Sequence, residues 1–213
     1  MAALLWHPPT HVPTEPPPDL HAATHRSRLA LERILRDPHD ESAWDQLAEY
    51  YDESAETWDD WTDTQPWYAA AVEAGLSHAK PADVVLEVSC GSGQATPLLD
   101  AFAPVVVATD TSLHMLDDAP RSLPHTTYAS VDVRRLPLRS ETVQLLVGLN
   151  AVPHIAEFTR VLARSGQLLW CTSFGAGTPL YVAPDRFVEL LGAGWHGEAG
   201  RAGHGEWLLL TKD

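Results

Sequence analysis

The sequence predicts an α/β fold, a mostly parallel sheet with helices on both faces. Three observations carry this reading. Residues 84–96, VVLEVSCGSGQAT, read as a buried β-branched strand, a glycine turn and a helix start. Further apolar strands at 105–109, 127–131, 143–149 and 167–171 alternate with short helical patterns. No hairpin turn separates them, so the connections are crossovers and the strands run parallel.

The chain has 213 residues, enough for one such domain and an N-terminal addition. The expected organisation is a Pro-rich flexible N-terminus over 1–19, a helical lid or acceptor-binding segment over 20–79, and a core over 80–213. Hydrophobic content of 45% and charged content of 20% suit a globular protein. A net charge of -15 argues against a nucleic-acid partner, because neutralising phosphates needs a basic surface. MAALLW at the N-terminus lacks a basic flank and a long apolar run, and no stretch is long enough to span a bilayer. A cytoplasmic location and no membrane partner are therefore expected. Oligomeric state is not encoded in any pattern visible here.

In chain order, Pro8, Pro9, Pro13, Pro16, Pro17 and Pro18 keep the first segment out of helix or central strand. His7, His11, His21 and His25 lack compact ligand spacing and read as solvated histidines, so no metal site is expected. A helix is expected over 20–36, stopping before Pro38. Asp40 caps the next, where Trp44, Leu47, Ala48 and Tyr51 form an i, i+3, i+4, i+7 stripe. Thr64 is expected to cap a third, with Pro66 in its first turn, running to Gly75 or Leu76. Residues 37–63 hold eleven acids and no Lys or Arg, with Trp44, Trp58, Trp61 and Trp67 in or beside them. That stretch is either a solvated acidic face with its aromatics on the core, or an aromatic lid suited to a flat apolar or cationic acceptor.

In the core, Leu98, Leu99 and Phe102 mark the helix after the glycine turn, and Asp110 ends the second strand. Short helices follow at 113–118 and 155–163. After a helix at 184–191, strands at 195–200 and 206–211 flank a Gly-rich joint and close the chain as a hairpin. Cys90 and Cys171 read as buried, reduced side chains rather than a disulfide framework.

Glu87 inside its strand, then Cys90-Gly91-Ser92-Gly93, with Asp110 at the next strand's end, resembles the first motifs of class I S-adenosylmethionine-dependent methyltransferases, of the small-molecule type. A dinucleotide fingerprint is disfavoured, since Thr96 stands where its third glycine belongs. The resemblance runs from about residue 80 to the C-terminus. It implies a Rossmann-like, seven-stranded, mostly parallel sheet with an antiparallel last strand. It also implies S-adenosylmethionine as cofactor, S-adenosylhomocysteine as product and a small-molecule acceptor methylated on N, O or C.

On the same resemblance, Glu87, Cys90, Gly91 and Gly93 contact the methionine portion and Asp110 the ribose hydroxyls, with Thr111 and Met115 beside them. Asp132 and the Val133 N–H meet the adenine, and Asn150 lies next to the sulfonium. Tyr51, in Tyr50-Tyr51-Asp52, either closes over the cofactor or completes the apolar stripe. His154 is the nearest candidate base for a hydroxyl or carbon acid. Two residues depart from the family pattern: Ser89 stands where a glycine is usual, and Glu87 replaces the commoner Asp. A non-catalytic binder of the same nucleoside is the alternative function.

Overall fold

The computed structural model describes residues 4–213. Its strands are β1 (Leu5–Trp6), β2 (Val84–Val88), β3 (Val105–Asp110), β4 (Thr126–Ser130), β5 (Val143–Leu149), β6 (Leu162–Thr172), β7 (Trp195–Ala202) and β8 (Gly205–Lys212). They form one sheet ordered β1-β7-β8-β6-β5-β2-β3-β4. β8 runs antiparallel to both β6 and β7, and every other pairing is parallel. The sheet is thus α/β with an antiparallel strand near one edge, as expected. Its strand count is eight rather than seven among the described residues. The addition is β1, from the Pro-rich segment: Leu5 and Trp6 precede the first prolines and pair with β7, and His7 N–H donates to Ala199 O at 2.8 Å. The first three residues of that segment lie outside the described residues.

Strand alternation makes two cores. Leu86, Val88 and Leu146 face α1 (Arg26–Arg36), the first half of α2 (Glu41–Thr62), α6 (Ile155–Val161) and α7 (Pro184–Leu191). Val85, Leu145 and Val147 face α3 (Ala70–Leu76) and α4 (Thr96–Phe102). α5 (Leu113–Asp118) packs beside β3 and β4. Burying both faces is why these strands read as continuous apolar runs.

Two helix starts differ from the sequence expectation. α1 begins at Arg26, because His25 caps it: its Nδ1 accepts from Ser27 N–H at 3.2 Å. Thr64 caps nothing; its hydroxyl donates back to Trp61 O at 2.7 Å, and turns carry the chain to α3. α4 starts at Thr96 with Pro97 in its first turn, leaving the Gln94 side chain free for other partners. Asp40 caps α2 as expected, accepting from Ala43 N–H at 3.1 Å.

Candidate active site

The carboxyl ends of β2, β3, β4, β5 and β6 open into one cavity of about 370 Å³. It lies where the sheet order reverses between β2 and β5, the place an open parallel sheet binds ligands. Its size falls within the range of small-molecule sites, roughly 300–1,000 Å³.

The glycine turn is built from left-handed backbone: Ser89 has φ 54°, Gly91 φ 56° and Gly93 φ 86°. A Cβ placed on Gly91 would meet nothing nearer than Gln94 Oε1 at 3.8 Å, Trp58 Nε1 at 3.9 Å and Met115 Sδ at 4.0 Å. The space above that peptide is open, as a ligand needs. Gly93 differs, since a Cβ there would stand 2.9 Å from Pro120 and 3.3 Å from the Tyr128 hydroxyl. It does not line the cavity; it serves the turn and its packing.

Asp110 is fixed by the turn itself. Gly91 N–H donates to its Oδ2 and Ser112 N–H to its Oδ1, both at 2.9 Å. Burial raises its pKa, against the pull of those N–H groups. Glu87 is 2% exposed and accepts from the Thr96 hydroxyl at 2.7 Å. Burial, aided by the Asp110 charge and opposed by Thr96, pushes its pKa up to about 8, so it is protonated at neutral pH. Burial likewise raises the Cys90 thiol, which disfavours its thiolate.

Asp132 reaches the cavity already engaged. Arg134 donates to it from its backbone N–H at 2.8 Å and from Nε at 3.0 and 2.9 Å, and Arg134 also lies over the Trp44 ring. Burial raises the Asp132 carboxyl, but the Arg134 hydrogen bonds and charge outweigh it and hold the pKa low. Val133, Thr111 and Met115 line the same wall. Asn150, at φ 52°, donates to the Tyr68 hydroxyl at 3.0 Å and to Ser173 Oγ at 2.8 Å, and accepts from Ser173 N–H at 2.8 Å. The Tyr68 oxygen thus accepts a hydrogen bond and keeps its own O–H to donate. Burial pushes that hydroxyl's pKa up to about 12.

α2 closes the cavity, lining it with Trp44, Tyr50, Tyr51, Trp58 and Trp61. Two of its acids clip it to the core. Asp52 accepts from Ser112 Oγ at 2.6 Å and pairs with His114 Nδ1 at 3.1 Å. Asp59 accepts from Gln94 Nε2 at 2.8 Å and from Ser92 Oγ. Trp58 Nε1 is buried with no hydrogen-bond partner. Such an orphaned donor beside an open peptide is what a bound acceptor atom would satisfy.

Glu87, Cys90, Gly91, Asp110, Thr111, Met115, Asp132, Val133, Asn150 and Tyr51 therefore converge on one cavity. His154 does not. It precedes α6, its ring tilts against Trp44 at 6.2 Å between centroids, and it is absent from the lining. Burial lowers its pKa. Sequence reasoning missed Tyr68, Phe174, Arg134 and His25 as lining residues; Tyr68, for one, meets its partner Asn150 only across 82 residues.

Residues 85–169 match the family model described as methyltransferase domain. No curated protein matches the chain in sequence. Among solved structures, a chain of the complex between the Haloferax volcanii Trm112 methyltransferase activator and its candidate methyltransferase aligns at 13% identity and TM-score 0.63, covering 76% of this chain and 97% of that one. A candidate S-adenosyl-L-methionine-dependent methyltransferase from Methanococcus maripaludis aligns at 17% identity and TM-score 0.61, covering 76% and 93%. DhpI, solved as its SAH complex, aligns at 20% identity and TM-score 0.60, covering 78% and 94%. Four further aligned structures are spanned over only about half their length. Among the described residues, no helix is long and apolar enough to cross a membrane.

Proposed function

We propose that this chain is an S-adenosylmethionine-dependent methyltransferase, a reading supported by the methyltransferase-domain match, and that it methylates a flat, largely apolar small molecule, neutral or cationic, at an atom that needs no enzymatic base. The observation that carries this is the cavity lining. Trp61, Tyr68 and Phe174 form an edge-to-face cluster next to Asn150, with ring centroids 5.9–6.1 Å apart. Arg134 is the only Lys or Arg among the described lining residues, and Asp132 and Glu41 already pair with it. A phosphorylated or carboxylated acceptor would find no free cation there, whereas aromatic faces favour apolar and cationic groups.

The open Gly91 peptide, the orphaned Trp58 N–H and the Asp110 carboxylate fit the polar portions of an amino-acid nucleoside. When bound, S-adenosylmethionine supplies a sulfonium methyl whose S–C bond breaks, its electron pair passing to sulfur, as the acceptor's lone pair bonds to carbon. The protein's part is alignment and dryness, and orientation of this kind is worth about 7–11 kcal/mol of a barrier. Asn150 fixes the Tyr68 hydroxyl as a donor toward the acceptor. Tyr50 is held in turn by His25 Nε2 at 3.0 Å. His25 uses its Nδ1 lone pair on Ser27 N–H, so Nε2 carries the proton of the neutral ring and cannot take another there without breaking the cap. With His25 committed to its cap and the Asp110 and Asp132 carboxylates already hydrogen-bonded, an amine that arrives neutral, or an acceptor already ionised, suits the cavity best.

Calorimetric titration with S-adenosylhomocysteine tests the cofactor site. Incubation with methyl-labelled cofactor and a panel of aromatic amines, phenols and carboxylates, read by mass spectrometry, tests the acceptor class. Product from amines alone, or from amines and ionised phenols, is expected. Preferential methylation of anionic phosphates or carboxylates would refute the acceptor reading, and absence of homocysteine-nucleoside binding would refute the site.

A further inference from the structure

The described residues hold a second constellation, none of whose members lines this cavity. His7 follows β1, His78 lies between α3 and β2, and Glu198 sits in β7. Their three donor atoms all lie within 4.8 Å of one another. His7 Nε2 is 2.6 Å from Glu198 Oε2, and His78 Nδ1 is 3.6 Å from Glu198 Oε1. We propose that His7, His78 and Glu198 form a transition-metal site, filled by Zn²⁺ or an ion of like preference, that fastens the N-terminal strand to the sheet.

Three features support it. The donor set is two imidazoles and one carboxylate, the borderline ligands that Zn²⁺ selects over Ca²⁺ or Mg²⁺, which prefer oxygen alone. The spacing is close to what an ion needs. Ligand bonds of about 2.0–2.1 Å around a tetrahedral ion set donor atoms roughly 3.4 Å apart. The two measured separations bracket that value, so rotation of exposed side chains is enough. The imidazoles are also backed rather than free: both lie against the Trp207 indole, with centroids 5.6 Å from His7 and 4.7 Å from His78. The three side chains are 25–32% exposed, which leaves an open side for a water ligand and a route for the ion.

The backbone holds this geometry without metal. His7 N–H donates to Ala199 O at 2.8 Å, and Leu5 and Trp6 sit in register with Glu198 and Ala199. A two-residue edge strand is weak on its own, since it adds few ladder bonds. An ion joining residue 7 to residues 78 and 198 adds a cross-link between the chain's first segment and its body. Its effect is mechanical, on the N-terminal segment, and independent of methyl transfer.

The test uses the full chain with any affinity tag removed and metal stripped by chelator. Equilibrium dialysis and calorimetry with ZnCl₂ should find one tight equivalent, and Co²⁺ should give visible d–d absorption of a nitrogen-ligated site. His78→Ala and Glu198→Gln should each weaken that equivalent at least tenfold, with His204→Ala, a histidine elsewhere on the surface, unchanged. Hydrogen exchange at residues 5–10 should slow on adding Zn²⁺ to the wild type but not to His78→Ala. Variant folding is checked by the metal-free melting point. Absence of a stoichiometric equivalent, an equivalent unaffected by both substitutions, or exchange at residues 5–10 indifferent to Zn²⁺ would each overturn the assignment.

Discussion

Asp59 of α2 accepts a 2.8 Å hydrogen bond from Gln94, and both Gln94 and Ser92 of the glycine turn converge on its Oδ1. One acid thereby joins α2 to the glycine turn at the cavity. Its neighbour in the same role, Asp52, is held by Ser112 and His114 one helical span earlier. The acidic run is thus only partly a solvated face: two of its members close the cavity.

Removing that clip should loosen the cover without unfolding the core. Asp59→Ala deletes charge-assisted hydrogen bonds, each worth about 1.5–3 kcal/mol when buried. Affinity for S-adenosylhomocysteine should fall roughly tenfold, with the far-UV circular dichroism unchanged. Calorimetry decides it; equal affinity would mean that α2 closes the site by apolar contact alone.

Glu87 makes stability depend on pH with a definite sign. Its carboxyl titrates at about 8 in the folded chain against an ordinary 4.5. Between those values the unfolded state has released a proton that the folded state keeps, so stability falls as pH rises and the cost is complete above 8. Each pH unit in that window costs about 1.4 kcal/mol. Glu87→Gln can still accept from Thr96 and has nothing to titrate. Its melting point should stand above the wild type's at about pH 8.5 and draw level near pH 5. Parallel melting curves for the two proteins would count against the buried, protonated acid.

Much of this was legible in the sequence, for physical reasons. Val84–Val88 and its sister strands announce themselves because both faces of the sheet are buried. The residues at their carboxyl ends, Gly91, Asp110, Asp132 and Asn150, are placed by topology once the strands are known. What stayed hidden depends on long-range pairing. Ser92 and Asp59 are 33 residues apart, and Asn150 and Tyr68 are 82 apart. No local pattern signals either contact. In the sequence His7 reads as solvated because its partners, at 78 and 198, share no spacing with it. His154 is close to Asn150 in sequence, but it stands at the start of α6 and its imidazole does not line the cavity.

Ser89 carries strain that a glycine would relieve. At φ 54° an L-residue is disfavoured by about 1–2 kcal/mol, and Ser89 is where the chain leaves β2. Ser89→Gly gives part of that back in unfolded-state entropy. The net gain should raise the melting point by about 2–4 °C, measured by calorimetry at fixed pH. A lower melting point would show that the serine side chain stabilises the turn by more than its backbone costs.

The two strand-end acids should not be equally important. Asp110 is oriented by peptide N–H groups on both oxygens, so its geometry is present before any ligand arrives. Asparagine in its place offers one acceptor oxygen, leaving one of those donors facing an amide NH₂. Asp110→Asn should therefore cost about 100-fold in S-adenosylhomocysteine affinity, near 2.7 kcal/mol. Asp132 already gives most of its lone pairs to Arg134, so any hydrogen bond it makes to an adenine amine competes with that pair. Asp132→Asn should cost about tenfold or less. Arg134→Ala, by freeing the carboxylate, should leave affinity unchanged or improved. Calorimetry on the three variants ranks them, and a larger loss at Asp132 than at Asp110 would reverse which acid anchors the nucleoside.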